Sequence, residues 1–300
     1  METDVLSLAR TAASATTKRE LRVITADAFA SKPFTGNPAA ICPVPFDMEL
    51  SKETMQDIAM EMSLAETAYV RPLTPSDNFK SGSRFGLRWF TPVMEVEICG
   101  HATLASAAVL FYGLGNESKA ITFDTLSGEL IVRRDGDSLS MDFPVGVTEP
   151  KSVSNTPGVR EVAWCSSMRY LVVRLNDGMT RSEFEKWRCD IAAIERSLTG
   201  VQIVLVTTRG TPDQGYVDDQ SVAYDFVSRC FAPWSGVPED PVTGSAQCVL
   251  AHYWSLQLGK KEFYTRQCSK RGGDIRLRLD GDRVHITGKA TLVLDGTITL

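Results

Sequence analysis

Apolar and polar positions alternate over residues 21–28, LRVITADA, which predicts a strand with Val23, Thr25 and Asp27 on one face. Turn chemistry follows at Gly36-Asn37-Pro38, and the chain re-enters a strand through AAIC. The period then changes. Met55, Ile58, Ala59 and Met62 recur at i, i+3, i+4 and i+7, the stripe of a one-sided helix. Ser51 stands where an N-cap belongs, and Leu50 can staple onto Met55 across it. ETAYV, with Glu66 at its start, and FGLRWF read as further strands. From Ala102 to Phe111 only Thr103 and Ser106 are polar, so this helix belongs inside a core, and Gly113 and Gly115 end it. Residues 120–143 predict hairpins with turns at SGE and RDGDS. Strands are expected near 169–175 and 202–207, with an amphipathic helix between them over 181–198. The stretch 272–300 reads as short strands turning at DGD and LDG.

The pattern also repeats. RWFTPVMEVEICGHATLASA at 88–107 and RCFAPWSGVPEDPVTGSAQCVLA at 229–251 share a frame: R-x-F-x-P, a polar connector, then Gly-x-Ala opening an apolar run. Gly100-His101-Ala102 matches Gly244-Ser245-Ala246 with three extra residues in the second connector. The second helix runs from about Ser245 to Leu258, before Gly259. A repeat in 300 residues predicts two similar domains. Each helix start offers unpaired N–H groups and about half a positive charge. Two starts facing one cleft suit a carboxylate or an enolate-like oxygen. His101 from one loop, and Asp240 with Ser245 from the other, would converge there.

Composition narrows the function classes. The net charge is −5 and no basic, aromatic-interleaved stretch occurs, which speaks against nucleic acid. No apolar run approaches the roughly 20 residues that span a bilayer. Seven scattered cysteines without CxxC spacing read as reduced thiols of a cytoplasmic protein. With only three histidines, no metal-ligand spacing is visible. Residues 1–19 are rich in Ser, Thr and Ala and read as a flexible extension.

With both loops in view, the chain resembles the PhzF-like family of phenazine-biosynthesis isomerase relatives, within the diaminopimelate-epimerase-like superfamily. The resemblance is carried, in order, by DAFASKPFTGNPAAIC, MEMSLAETAYV, RWFTPVMEVEICGHATLASA, EDPVTGSAQCVLA and ITGKATLVLDGTITL. It implies an α/β (α+β) fold of two pseudo-symmetric domains, each a curved mixed sheet around a central helix, with the active site between them. The expected division is 20–128 plus about 289–300, and 129–288. It further implies a homodimer, a small-molecule substrate, and neither metal nor organic cofactor. The family's catalytic glutamate falls on Glu66, its GH-loop histidine on His101, and the aspartate and serine of its D-P-x-T-G-S motif on Asp240 and Ser245. Gly100, Thr243, Gly244 and Asn37 are expected to shape the loops and meet substrate, with Cys99 behind them.

On this reading the protein is an isomerase that moves a proton on a small, carboxylate-bearing carbon acid, with Glu66 as base and acid. From position alone the same residues have plainer readings. Glu66 would be a strand-edge glutamate, His101 a helix-start histidine with its imidazolium disfavoured by the dipole, and Asp240 and Ser245 turn and cap chemistry. Two alternatives stay open: a Cys99-dependent epimerase or racemase, and a metabolite-binding protein without turnover. The two-cysteine racemase pattern is incomplete, because EDPVTGSA has no thiol and Cys248 falls inside the second helix.

Overall fold

The computed structural model describes residues 19–152 and 156–300, so all but Arg19 of the expected N-terminal extension lies outside the described residues. The chain builds one continuous mixed sheet of eighteen strands, with five α-helices among the described residues. The same pairing order is laid down twice. From Glu20–Ala28 to Ser138–Pro144, successive neighbours pair antiparallel, parallel, antiparallel, parallel, antiparallel, antiparallel. From Val159–Cys165 to Arg283–Gly288 the same series recurs. Ser138–Pro144 pairs with Arg283–Gly288 and joins the halves. Each half also lends a strand to the other's edge. Ala290–Thr299 pads Glu20–Ala28, and Glu149–Lys151 pads Val159–Cys165.

Each half wraps one buried helix. Helix α1 (Lys52–Met62) lies outside; α2 (Gly100–Ala108) lies inside, and all nine of its residues are buried. The strand Glu20–Ala28 is covered on both faces: Leu21 and Val23 join the α1 cluster, whereas Ile24, Ala26 and Ala28 join the α2 core. Ser51 caps α1 by accepting from the Thr54 N–H at 3.1 Å, and Leu50 packs with the cluster holding Met55. Helix α2 passes into a π-helical turn, Val109–Gly113. No described helix is long and apolar enough to cross a membrane, and none of the seven cysteines is paired.

Two expectations fail. The stretch 181–198 is not one helix but α3 (Arg181–Lys186) and α4 (Ile191–Ser197). Arg229 captures the Phe184 and Trp187 carbonyls at the end of α3, and Asp190 caps a new start by accepting from the Ala193 N–H. The LDG at 294–296 makes no turn. It runs through the strand Ala290–Thr299, where Arg22 grips Asp295 with two hydrogen bonds and the pairing slips by one residue at Val293. The fifth helix, α5 (Gly244–Leu258), ends at Gly259 in the left-handed region, as its sequence predicts.

Candidate active site

The helix starts meet. A methyl group added at Gly100 would stand 3.2 Å from the Gly244 Cα, and one at Gly244 would stand 3.2 Å from the Gly100 Cα. Glycine at both positions lets the two helix N-termini approach this closely, since a side chain at either would press on the opposing backbone. Their unpaired N–H groups and positive dipole ends therefore share one small volume.

Three groups of the first half gather beside this point. Glu66 opens the strand Glu66–Pro72, and its Oε2 lies 2.9 Å from His101 Nε2. His101 Nδ1 lies 3.4 Å from Cys99 Sγ. These three residues bring ligand-type atoms within 4.8 Å of one another. They do not fit a single metal ion as arranged, because the thiol and the carboxylate meet opposite ring nitrogens of His101. Cys99 Sγ lies within hydrogen-bond reach of His101 Nδ1, whereas Glu66 Oε2 and His101 Nε2 are buried side by side without the alignment of a hydrogen bond and with no other partner.

The second half supplies a polar cradle. Asn37, completely buried, donates from Nδ2 to Asp240 Oδ1 at 2.8 Å and to the Val242 carbonyl at 2.8 Å, bridging the halves. Thr243 donates its hydroxyl proton to Asp240 Oδ2. Gln267 donates to the Asp240 carbonyl at 2.7 Å and accepts from the Thr243 N–H at 2.9 Å. Ser245 Oγ lies 2.9 Å from the Tyr170 hydroxyl. Burial lifts Asp240 to about 6; the Glu66 charge adds to the rise, while His101 and the Thr243 and Asn37 hydrogen bonds oppose it. Asp240 is thereby brought close to neutrality as an acid.

Burial pushes the Cys99 thiol up, and the Glu66 charge adds to this. Burial would lower the His101 imidazole, but the charges of Cys99 and Glu66 would raise it well above its usual value. The two tendencies conflict, since the Cys99 charge exists only if the thiol ionises. Enclosure of the sulfur favours the neutral thiol; without its charge, burial, the largest single influence on His101, is opposed by Glu66 alone and favours the neutral ring.

Glu66, His101, Asp240, Ser245, Gly100, Thr243, Gly244 and Cys99 thus converge. Asn37 converges too, with its amide nitrogen spent on Asp240 and Val242 and its Oδ1 buried without a partner. Sequence reasoning missed Tyr170 and Gln267. Neither lies in a motif, and both reach the loop from strands 75 and 24 residues away. Convergent chemistry marks this site. Cavities of about 210 and 340 Å³ lie elsewhere, beside Phe29 and Tyr264 and beside Met55 and Tyr69.

A doubled sheet wrapped around two buried helices that meet at their starts places the chain in the epimerase-like class of folds. Within it, the chain belongs to the phenazine biosynthesis-like protein family (PhzC-PhzF), whose pattern matches residues 26–296. It is 48% identical to the mouse phenazine biosynthesis-like domain-containing protein 1 over 296 residues, 93% of this chain and 99% of that one. It is 41% identical over 286 residues to a protein of Pseudomonas aeruginosa named an uncharacterized isomerase, covering 94% and 100% of the two chains. The crystal structure of a PhzF family protein from Enterococcus faecalis superposes with a TM-score of 0.79 at 32% identity, over 94% of this chain and all of that one.

Proposed function

We propose that the protein is a cofactor-independent isomerase of a small, carboxylate-bearing carbon acid. Glu66 removes a proton from the activated carbon and returns it elsewhere on the same face. The negative charge that develops on the substrate oxygen meets the N–H groups of the apposed helix starts at Gly100 and Gly244. His101 holds its Nε2 2.9 Å from Glu66 Oε2 and so orients the carboxylate. Asp240, near neutrality, gives or holds a second proton, and Ser245 donates to a substrate oxygen. The observation that carries this reading is the Glu66–His101 contact at 2.9 Å, set beside the Gly100–Gly244 apposition. The isomerase name of the Pseudomonas relative supports it.

The test is solvent exchange. A panel of small carboxylic acids with acidic C–H groups is incubated with enzyme in D₂O and followed by NMR. Glu66→Gln should lose deuterium incorporation by about 10²–10⁴-fold, the range for removing a general base. Undiminished incorporation by Glu66→Gln would refute the assignment.

A further inference from the structure

Cys99 and Glu66 hold the His101 ring from opposite edges, the thiol at Nδ1 and the carboxylate at Nε2. His101 and Cys99 are 5% and 7% exposed, so water cannot stand in for either partner without entering the core. A neutral imidazole has one N–H, and its position decides what the ring offers Glu66. With the proton on Nδ1, the lone pair of Nε2 would face carboxylate lone pairs at 2.9 Å. With the proton on Nε2, the positive N–H edge faces the carboxylate, though not aligned as a hydrogen bond, and Nδ1 needs a donor of its own.

We infer that Cys99 is a positioning residue whose S–H donates to Nδ1 and locks His101 as the Nε2–H tautomer. His101 then holds its positive Nε2–H edge against one Glu66 oxygen, and the other oxygen stays free to accept a proton. That last consequence rests on the proposed role of Glu66; the tautomer does not.

A parallel in the second half supports the inference. Cys99 is the residue before α2 as Thr243 is the residue before α5, and neither side chain caps its own helix. Thr243 turns its hydroxyl instead onto Asp240, the acid of its loop. Cys99 turns its thiol onto His101, the titratable group of the other. In both copies the cap position has been diverted to orient a neighbouring proton carrier. A thiol suits the first copy because it is a weak donor that tolerates apolar surroundings better than a hydroxyl. Burial and Glu66 both keep it protonated, as donation requires.

The experiment needs no substrate. The full chain is labelled with ¹⁵N-histidine, and its ring nitrogens are read by two-bond proton–nitrogen correlation at pH 7.5. His252→Gln and His285→Gln variants assign the three histidines. Wild-type His101 should show a pyridine-type Nδ1 and a pyrrole-type Nε2. Cys99→Ala, which leaves Nδ1 without its donor, should raise the Nδ1–H tautomer severalfold, though Glu66 still opposes it at Nε2, and Cys99→Ser should restore the wild-type pattern. An imidazolium pattern on both nitrogens, a wild-type Nδ1–H ring, or an unchanged tautomer in Cys99→Ala would each overturn the inference. If Cys99→Ala does not fold, the wild-type spectrum and Cys99→Ser still decide it. The role of Glu66 stands or falls separately, by isotope exchange.

Discussion

The two repeated loops share a frame and differ in their chemistry. In the first, Arg88 grips Glu95 through two hydrogen bonds at 2.7 and 3.0 Å; in the second, Arg229 grips Glu239 at 2.7 and 2.9 Å. The guanidinium of each stacks over the phenylalanine two residues on, 5.2 Å from Phe90 and 5.3 Å from Phe231. Each connector is thus pinned by the same device before its Gly-x-Ala helix start. Past the pin the copies diverge: Cys99 and His101 in one, Thr243 and Ser245 in the other, with Asp240 added. The scaffold holds backbone and helix dipoles in place, which leaves the side chains at the tips free to differ.

The largest effect should come from breaking the pins unequally. Arg229 is 8% exposed and also satisfies the Phe184 and Trp187 carbonyls; Arg88 is 39% exposed. Arg229→Ala should cost about 3–5 kcal/mol, as for removing one partner of a buried pair. Arg88→Ala should cost less, about 1–2 kcal/mol, because Glu95, 9% exposed, keeps Lys52 at 2.8 Å. Urea denaturation measures both, and equal losses would mean that the two pins bear the same load.

Next come the glycines. Gly100→Ala and Gly244→Ala each place a methyl group against backbone, 3.2 Å from the opposing Cα, where no side chain can swing away. Each should lose about 1–3 kcal/mol, an overpacking cost that outweighs the gain in helix propensity. A variant within about 0.5 kcal/mol of the parent would show that the helix starts can separate without cost.

The last effect is electrostatic and belongs to the second loop. Asp240 is raised to about 6 by burial, well above an unfolded aspartate near 3.8. A carboxyl raised on folding contributes its stability in full below about pH 4, and that contribution is lost as pH rises through about 6. Asp240→Asn removes this dependence. Its stability relative to the parent should therefore rise by about 1–3 kcal/mol between pH 4 and pH 7. Parallel denaturation curves at the two pH values, with no relative gain, would contradict it.

Much of the scaffold was legible because it depends on local pattern. The α1 stripe of Met55, Ile58 and Ala59, the Ser51 cap, and the all-apolar run of α2 follow from spacing alone. So does the pairing of Gly100 with Gly244 as equivalent positions. Other features were illegible because distant partners decide them. Residues 181–198 carry a helical period, yet Arg229 from another strand claims the carbonyls where the first helix ends. LDG has turn composition, yet Arg22 holds Asp295 flat against a neighbouring strand.

The same division runs through the site. The sequence by itself determined the two glycine-led helix starts and the residues carried on them: Cys99 and His101 on one, Thr243 and Ser245 on the other. Those come from short-range pattern and repetition. Only the tertiary structure decided that the starts touch, that Glu66 reaches His101, that Asn37 spans the halves to hold Asp240, and that Tyr170 backs Ser245. Such contacts join residues up to 203 positions apart, and their geometry is set by sheet curvature and core packing, which no local spacing encodes.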